Sequence, residues 1–171
     1  MKLLFLLLDS SEGIWHELYE KGAKRTWLLD LASTDRFYQY LGTGRSKIDR
    51  TKIGKKIENG KLNNQIWPFL EIRNYYNFLK PTVNVEGSIM TIDIKDRWSS
   101  ILMKTLRAFD FCLRNYDFDY VIRVNASTYI NVPMLREYLQ SCKPDYSGPV
   151  EKNKPFVSGW SIVLSKRCVI D

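Results

Sequence analysis

Apolar residues follow two spacings that alternate along the chain. Continuous or alternating apolar runs predict strands at residues 2–8, 37–41, 75–79, 83–85, 89–94 and 120–124, and a turn followed by a strand at 155–165. Apolar residues at helical spacing predict helices at residues 14–27 (with a break near Gly22), 98–116 and 132–142. Strands that alternate with helices are typical of an α/β fold, and we expect a single, mostly parallel central sheet flanked by helices.

The connecting segments are polar. Residues 43–66 are basic and weakly periodic, which predicts a long loop or an inserted helix–loop piece. Residues 143–154 contain two prolines and a glycine and predict a second loop. Asp96 precedes the second helix, and we expect its side chain to cap that helix.

The stretch from residue 120 to residue 131 contains a strand and the start of a helix. The apolar run at 121–124 predicts a buried strand, and Asn131 is a good N-cap for the following helix, which has Pro133 in its first turn. Small residues at 125–127 lie between these two elements. They are therefore expected at a carboxyl end of the sheet, where ligands of α/β proteins bind.

The composition is that of one globular domain. The chain has 171 residues, of which 44% are apolar, and this is enough for a core of its own. Its three cysteines are odd in number and widely spaced, which argues against a disulfide framework or a zinc site and favours a reducing compartment. The first apolar run is too short for a signal peptide or a membrane span, so we expect a cytoplasmic protein. His16 is the only histidine, and we expect a surface or packing role for it.

The formal charge of +7 is concentrated in about one quarter of the chain. Residues 20–61 contain eleven Lys or Arg and five Asp or Glu, which leaves a charge of +6 in this segment. A solvated loop explains this excess, and so does attraction to the phosphates of a nucleotide or a polyanionic acceptor. Because no nucleic-acid-binding motif accompanies the charge, we expect no nucleic-acid partner.

Five segments carry motifs that occur in this order in one enzyme family. They are Arg25-Thr-Trp27, residues 37–42, residues 96–105 (Asp-Arg-Trp-Ser-Ser-Ile-Leu-Met-Lys-Thr), residues 123–131 (Arg-Val-Asn-Ala-Ser-Thr-Tyr-Ile-Asn) and residues 155–165 (Pro-Phe-Val-Ser-Gly-Trp-Ser-Ile-Val-Leu-Ser). The chain resembles the β-1,3-galactosyltransferase and Fringe-like glycosyltransferases, which have the GT-A nucleotide-diphospho-sugar transferase fold. The resemblance implies a single GT-A-like domain over residues 1–171 that stops before the family's C-terminal catalytic element.

The resemblance also implies an activity and a set of binding residues. The family transfers a hexose from a nucleotide sugar, usually a UDP-sugar, to a hydroxyl of an acceptor glycan with inversion at the anomeric carbon. The donor-binding candidates are Asp9, Arg25, Lys104, Arg123, Asn125 and Ser127. The candidates that face the donor sugar or the acceptor are Ser158, Gly159 and Trp160.

Each of these residues also has a structural interpretation. A turn-capping aspartate explains Asp9, a helix-surface lysine explains Lys104, and a strand-edge arginine explains Arg123. Core packing explains Trp160. The sequence leaves both interpretations open at these positions.

The chain departs from the family at the metal site. The family has an acidic triplet that holds a divalent ion, usually manganese, against the diphosphate of the donor. Asn125, Ala126 and Ser127 occupy these positions and carry no charge. Because magnesium and manganese sites of this kind rely on carboxylate oxygens, we expect no cofactor and no tight metal site, although a weak site would still take Mn²⁺ or Mg²⁺.

A second departure concerns the catalytic base. Inverting transfer needs a base that takes the proton from the attacking hydroxyl. In the family this base lies beyond the last matched segment, and the chain ends at Asp171 before such an element. Asp145 and Glu151 are the remaining candidates, and neither lies in a matched motif; solvated loop acids are the simpler interpretation of both.

Two hypotheses follow. The chain is an inverting glycosyltransferase that is metal-independent or only weakly metal-dependent, with its base supplied by a further domain or subunit. Alternatively, it is a non-catalytic GT-A-like domain that binds a glycan or a nucleotide sugar. A third interpretation, a fragment of a longer enzyme, explains the missing base but not the altered triplet.

Overall fold

The fold is defined by a computed structural model that describes residues 1–10, 13–43, 81–94, 96, 100–150, 157 and 159–170. The strands are β1 (Leu3–Leu8), β2 (Arg36–Gly42), β3 (Val83–Glu86), β4 (Ile89–Ile92), β5 (Tyr120–Asn125), β6 (Tyr146–Ser147) and β7 (Ser161–Ser165). The α-helices are α1 (Ile14–Lys21), α2 (Ile101–Asn115), α3 (Val132–Cys142) and α4 (Lys166–Ile170). Two 3-10 helices follow α1, at Ala23–Arg25 and Trp27–Asp30.

The strands form one sheet in the order β3-β4-β2-β1-β5-β7-β6. β1 lies at the centre and pairs in parallel with β2 and with β5, and β4 is parallel to β2. The pairs β3–β4, β5–β7 and β6–β7 are antiparallel. The expected α/β fold with a single central sheet is confirmed, and parallel pairing is confined to its four inner strands.

One face of the sheet is covered by α1, the 3-10 helices and α3. Phe5 of β1 packs against Trp27, with 5.6 Å between the ring centroids. Tyr19 of α1 and Leu139 of α3 belong to the same hydrophobic cluster. Burial of such large apolar side chains contributes about 1.5–3 kcal/mol each, so this cluster is a main source of the stability of the fold.

The other face is covered by α2. Ala108 and Cys112 are completely buried and pack with Tyr40 of β2 and Ile92 of β4. Burial raises the pKa of the Cys112 thiol to about 12, because the apolar surroundings disfavour the thiolate. The sheet therefore lies between two helical layers, as the alternation of elements predicts.

The elements differ from the sequence predictions at several places. The helix predicted at 14–27 ends at Lys21, close to the expected break, and the remainder is 3-10 helix. Three of its apolar residues, Ile14, Trp15 and Leu18, are exposed, so α1 has only Tyr19 buried. The loop predicted at 143–154 contains the short strand β6, and α4 was not predicted.

The start of α2 also differs. Its N-cap position is Ser100. The Asp96 carboxylate, which we expected to cap the helix, forms an ion pair with Lys104. Leu102, one of the apolar residues at helical spacing in this helix, is 55% exposed. The strand predicted at 75–79 lies outside the residues that the structure describes.

No helix within the described parts of the chain is long and apolar enough to cross a membrane.

The N-cap of α3 was predicted correctly and offers a test of this helix. The Asn131 side chain accepts a hydrogen bond from the backbone N–H of Met134 at 3.1 Å. We expect Asn131→Ala to lower the free energy of unfolding by about 1 kcal/mol, because the N–H loses its partner. Chemical denaturation measures the loss. Gln140→Ala, at an exposed position of the same helix, should change stability by less than about 0.5 kcal/mol; equal losses would contradict the capping role.

Candidate functional site

The carboxyl ends of β1 and β5 lie side by side at the centre of the sheet. Leu8, the last residue of β1, is the register partner of Asn125, the last residue of β5. After β1 the chain crosses to β2 on one side, whereas β5 lies on the other side of β1, so the strand order reverses between them. Ligands of open α/β sheets bind at such a reversal. We call this end of the two strands the carboxyl edge.

Asp9 follows β1 at the carboxyl edge, and its side chain is completely buried. The carboxylate accepts hydrogen bonds from the backbone N–H of Ser10, at 2.8 Å, and from the side-chain amide of Gln39. Nδ1 of His16 lies 3.1 Å from Oδ2 of Asp9. A ligand at this edge would therefore meet His16, whose side chain is 41% exposed, before it reached the carboxylate.

The three residues at the end of β5, 125–127, lie in three different environments. The Oδ1 atom of Asn125 is buried and lacks a hydrogen-bond partner among the described residues. Ala126 is buried in the hydrophobic cluster that contains Trp27. Ser127 is exposed.

These three residues do not fit a magnesium or manganese site. One buried amide oxygen and one exposed hydroxyl replace the carboxylates that such ions need. In the described parts of the chain, no group of three or more His, Cys, Asp or Glu side chains is placed to hold a metal ion.

Arg123 is the centre of a buried hydrogen-bond network. Its Nε donates to the hydroxyl of Tyr40 at 3.1 Å, and its NH1 group donates to the carbonyl of Gly159. The Tyr40 hydroxyl also lies 2.8 Å from Oγ1 of Thr105 on α2. Burial raises the pKa of Tyr40, which therefore stays neutral. We call these four residues the Arg123 network.

Arg123 is only 5% exposed and has no ion pair with any described acidic residue. A buried guanidinium normally has a carboxylate partner, since burial of an unpaired charge is costly. Neutral oxygen atoms stabilise this one. Because no described carboxylate pairs with it, its charge would add to the attraction of an anion that binds near the carboxyl end of β5.

Lys104 is also buried, but its charge is paired. Its Nζ forms an ion pair with Oδ1 of Asp96, and Lys104 is 2% exposed. The other carboxylate oxygen of Asp96, Oδ2, is buried without a hydrogen-bond partner among the described residues. The expectation of a helix-surface lysine is thus wrong, and the ammonium group is directed to Asp96 rather than to an open edge.

Two aromatic side chains are exposed beside β5. Tyr129 is 65% exposed and Trp160 is 58% exposed, so Trp160 is not a core residue. The Trp160 carbonyl accepts hydrogen bonds from the Asn125 backbone N–H at 3.0 Å and from Oγ1 of Thr128 at 3.2 Å. These bonds join the two loops, so the aromatic residues are presented from one connected piece of backbone.

Arg25 is exposed on the first 3-10 helix. Two residues later, Trp27 donates a hydrogen bond from its indole nitrogen to the Thr128 carbonyl at 3.1 Å. The matched Arg25-Thr-Trp27 segment therefore borders the loop after β5. Arg25 is the basic candidate that a ligand could contact directly.

Asp145 lies at the opposite end of the sheet. It bonds to Ser165 at 2.8 Å and to Arg167, and Ser165 is the register partner of Tyr120 at the start of β5. These two hydrogen bonds hold the pKa of Asp145 below its usual value, which weakens it as a base. The structure does not bring Asp145 together with the other candidates. Glu151 and Ser158 lie outside the described residues.

His16, Gln39 and Tyr40 belong to the carboxyl edge and were not identified as binding candidates from the sequence. Gln39 is a polar residue inside an apolar strand, and a buried polar side chain needs a partner, so it carried one usable signal. No sequence signal links His16 to Asp9, because their contact depends on the path of the chain between β1 and α1.

The chain matches no protein-family model and no curated protein sequence.

The ion pair between Lys104 and Asp96 predicts a large effect on stability. We expect Lys104→Met to lower the free energy of unfolding by about 3 kcal/mol, because it leaves a largely buried carboxylate without its cation. Chemical denaturation measures this. Lys21→Met is the matched control, since Lys21 forms an exposed ion pair with Glu17 and should contribute less than about 0.5 kcal/mol. Similar losses in both variants would show that the buried pair has no special role.

Proposed function

We propose that this chain is the donor-binding domain of an inverting glycosyltransferase. It transfers a hexose from a nucleotide sugar, a UDP-sugar, to a hydroxyl of a glycan, and it is metal-independent or only weakly metal-dependent. Both substrates bind at the carboxyl edge. The GT-A type of nucleotide-diphospho-sugar fold is part of the same proposal.

One observation carries the proposal. The five segments that resemble the family are connected to each other by hydrogen bonds between side chains and backbone. The Arg123 network joins four of them, through Tyr40, Thr105, Arg123 and Gly159. The fifth is joined by Trp27, which donates to Thr128. Segments that are far apart in the sequence thus come together around the carboxyl end of β5, on both faces of the sheet.

The charges at the carboxyl edge suit a diphosphate. A departing nucleoside diphosphate gains negative charge in the transition state, and preorganised positive charge stabilises it. Arg123 supplies an uncancelled buried charge below the edge, and Arg25 supplies an exposed one beside it. Fixed guanidinium groups would thus take over part of the role that a divalent ion has in the family.

The exposed groups suit a sugar. Tyr129 and Trp160 offer apolar ring faces, and Ser127 offers a hydroxyl that can donate or accept a hydrogen bond. Sugar rings have an apolar face of C–H groups and a rim of hydroxyls, so rings and polar groups presented together match them.

A second candidate function has its own support. Ala126 is buried among apolar residues, and neither of its neighbours carries a charge, so the segment after β5 contains no carboxylate at all. This favours a domain that has the fold but only binds a glycan or a nucleotide sugar. The two functions differ in turnover and not in binding.

A nucleotide-release screen separates them. The chain is incubated with a panel of nucleotide sugars and glycan acceptors, and release of UDP, GDP and CMP is measured with EDTA and, separately, with Mn²⁺. We expect release of UDP in EDTA, with at most a small increase in Mn²⁺. Binding without release would support the second function, and a strict requirement for Mn²⁺ would contradict metal independence. Absence of binding to every nucleotide sugar and to every glycan acceptor would contradict both functions.

The two exposed aromatic residues give a further prediction. We expect Trp160→Ala and Tyr129→Ala each to weaken binding of the acceptor glycan about tenfold, since loss of one stacking contact costs on the order of 1.4 kcal/mol. Titration calorimetry with the acceptor measures this. Tyr146→Ala is the matched control, because Tyr146 is 52% exposed near the opposite end of the sheet. If the control weakens binding as much, the sugar does not lie at the carboxyl edge.

A further inference from the structure

Asp9 and His16 form a pair that the proposed function has not used. Nδ1 of the imidazole lies 3.1 Å from Oδ2 of a carboxylate that is itself completely buried. His16 stands in the first turn of α1, directly after the carboxyl edge, and part of its ring is exposed. A buried carboxylate that holds a partly exposed imidazole is the arrangement in which histidine acts as a general base.

The surroundings of Asp9 make it a fixed acceptor. The Ser10 backbone N–H and the Gln39 side-chain amide both donate to it. Both of these nitrogen atoms donate, so the Asp9 oxygens act as acceptors in both bonds. We expect Oδ2 to act as an acceptor toward His16 as well. With no exposed surface, Asp9 cannot touch a substrate and can only act through the imidazole.

We infer that Oδ2 of Asp9 accepts a hydrogen bond from the neutral imidazole. In that arrangement Nδ1 carries the hydrogen, and Nε2 has its lone pair free to take a proton. The other titratable groups near His16 in the described residues are Tyr19, with ring centroids 6.1 Å apart, and Glu20, which is paired with Lys24.

We propose that His16 is the general base of the glycosyl transfer and that Asp9 is its positioning residue. This inference rests on the proposed function. Nε2 takes the proton of the acceptor hydroxyl as the hydroxyl oxygen bonds to the anomeric carbon. The bond from that carbon to the diphosphate oxygen breaks, and its electron pair leaves with the nucleoside diphosphate. The base then comes from the chain itself, and no further domain is needed to supply it.

The first test reads the proton directly and needs no activity. Since the chain has one histidine, a long-range ¹H–¹⁵N correlation spectrum reports only the His16 ring. We expect the Nδ1–H form in the unaltered chain and a shift toward the Nε2–H form in Asp9→Asn. Glu17→Gln, at an exposed position on the same helix, should leave the spectrum unchanged. The same tautomer before and after Asp9→Asn would overturn the positioning role.

The second test measures turnover and binding separately. We expect His16→Gln to lower kcat at least about 100-fold, with the Kd for the nucleotide sugar unchanged. Glu17→Gln should retain full kcat. If His16→Gln keeps kcat, or if the unaltered chain binds donor without turnover, the base assignment fails while donor binding stands. If the unaltered chain binds no nucleotide sugar, the proposed function itself fails.

Discussion

The carboxyl edge depends on the hydrogen bonds that the buried guanidinium of Arg123 donates. The guanidinium connects the centre of the sheet to α2 through Tyr40 and to the turn before β7 through Gly159. In a low-dielectric interior such bonds are strong, and an unsatisfied member of the network costs more than a single bond. Arg123 thus helps to hold the turn at Gly159, and the next residue, Trp160, bonds through its carbonyl to Asn125 and Thr128.

The hydrophobic pattern predicted the inner part of the fold well. β1, β5 and α3 were placed within a residue or two, because a long apolar run or a capped amphipathic stripe has little choice of structure. The direction of β7 could not be predicted in this way. β7 is antiparallel to β5. Neighbouring residues such as Val163 and Leu164 face opposite sides of the sheet. Because side chains alternate in this way in parallel and antiparallel strands alike, the apolar pattern does not indicate the direction of the strand.

The parts of the site that depend on neighbouring residues in the sequence could be predicted, whereas the parts that depend on long-range contacts could not. The segment at 125–127 was located from the strand and the helix that flank it. The partner of Lys104 and the exposure of Trp160 depend on chain segments that meet only in the folded state, and both structural interpretations drawn from sequence were wrong. We expected a surface or packing role for His16, and the structure adds a contact between its Nδ1 atom and the Asp9 carboxylate.

Ala126 bears on how this chain can change over evolutionary time. Its methyl group belongs to the same apolar cluster as Trp27, and it is 4% exposed. A carboxylate at this position would have to enter hydrocarbon surroundings, at a cost of several kcal/mol, before it could reach any ion. A stepwise change of residues 125–127 to acidic side chains would therefore include one strongly destabilising step, at Ala126, and the packing of the core acts against a carboxylate at that position.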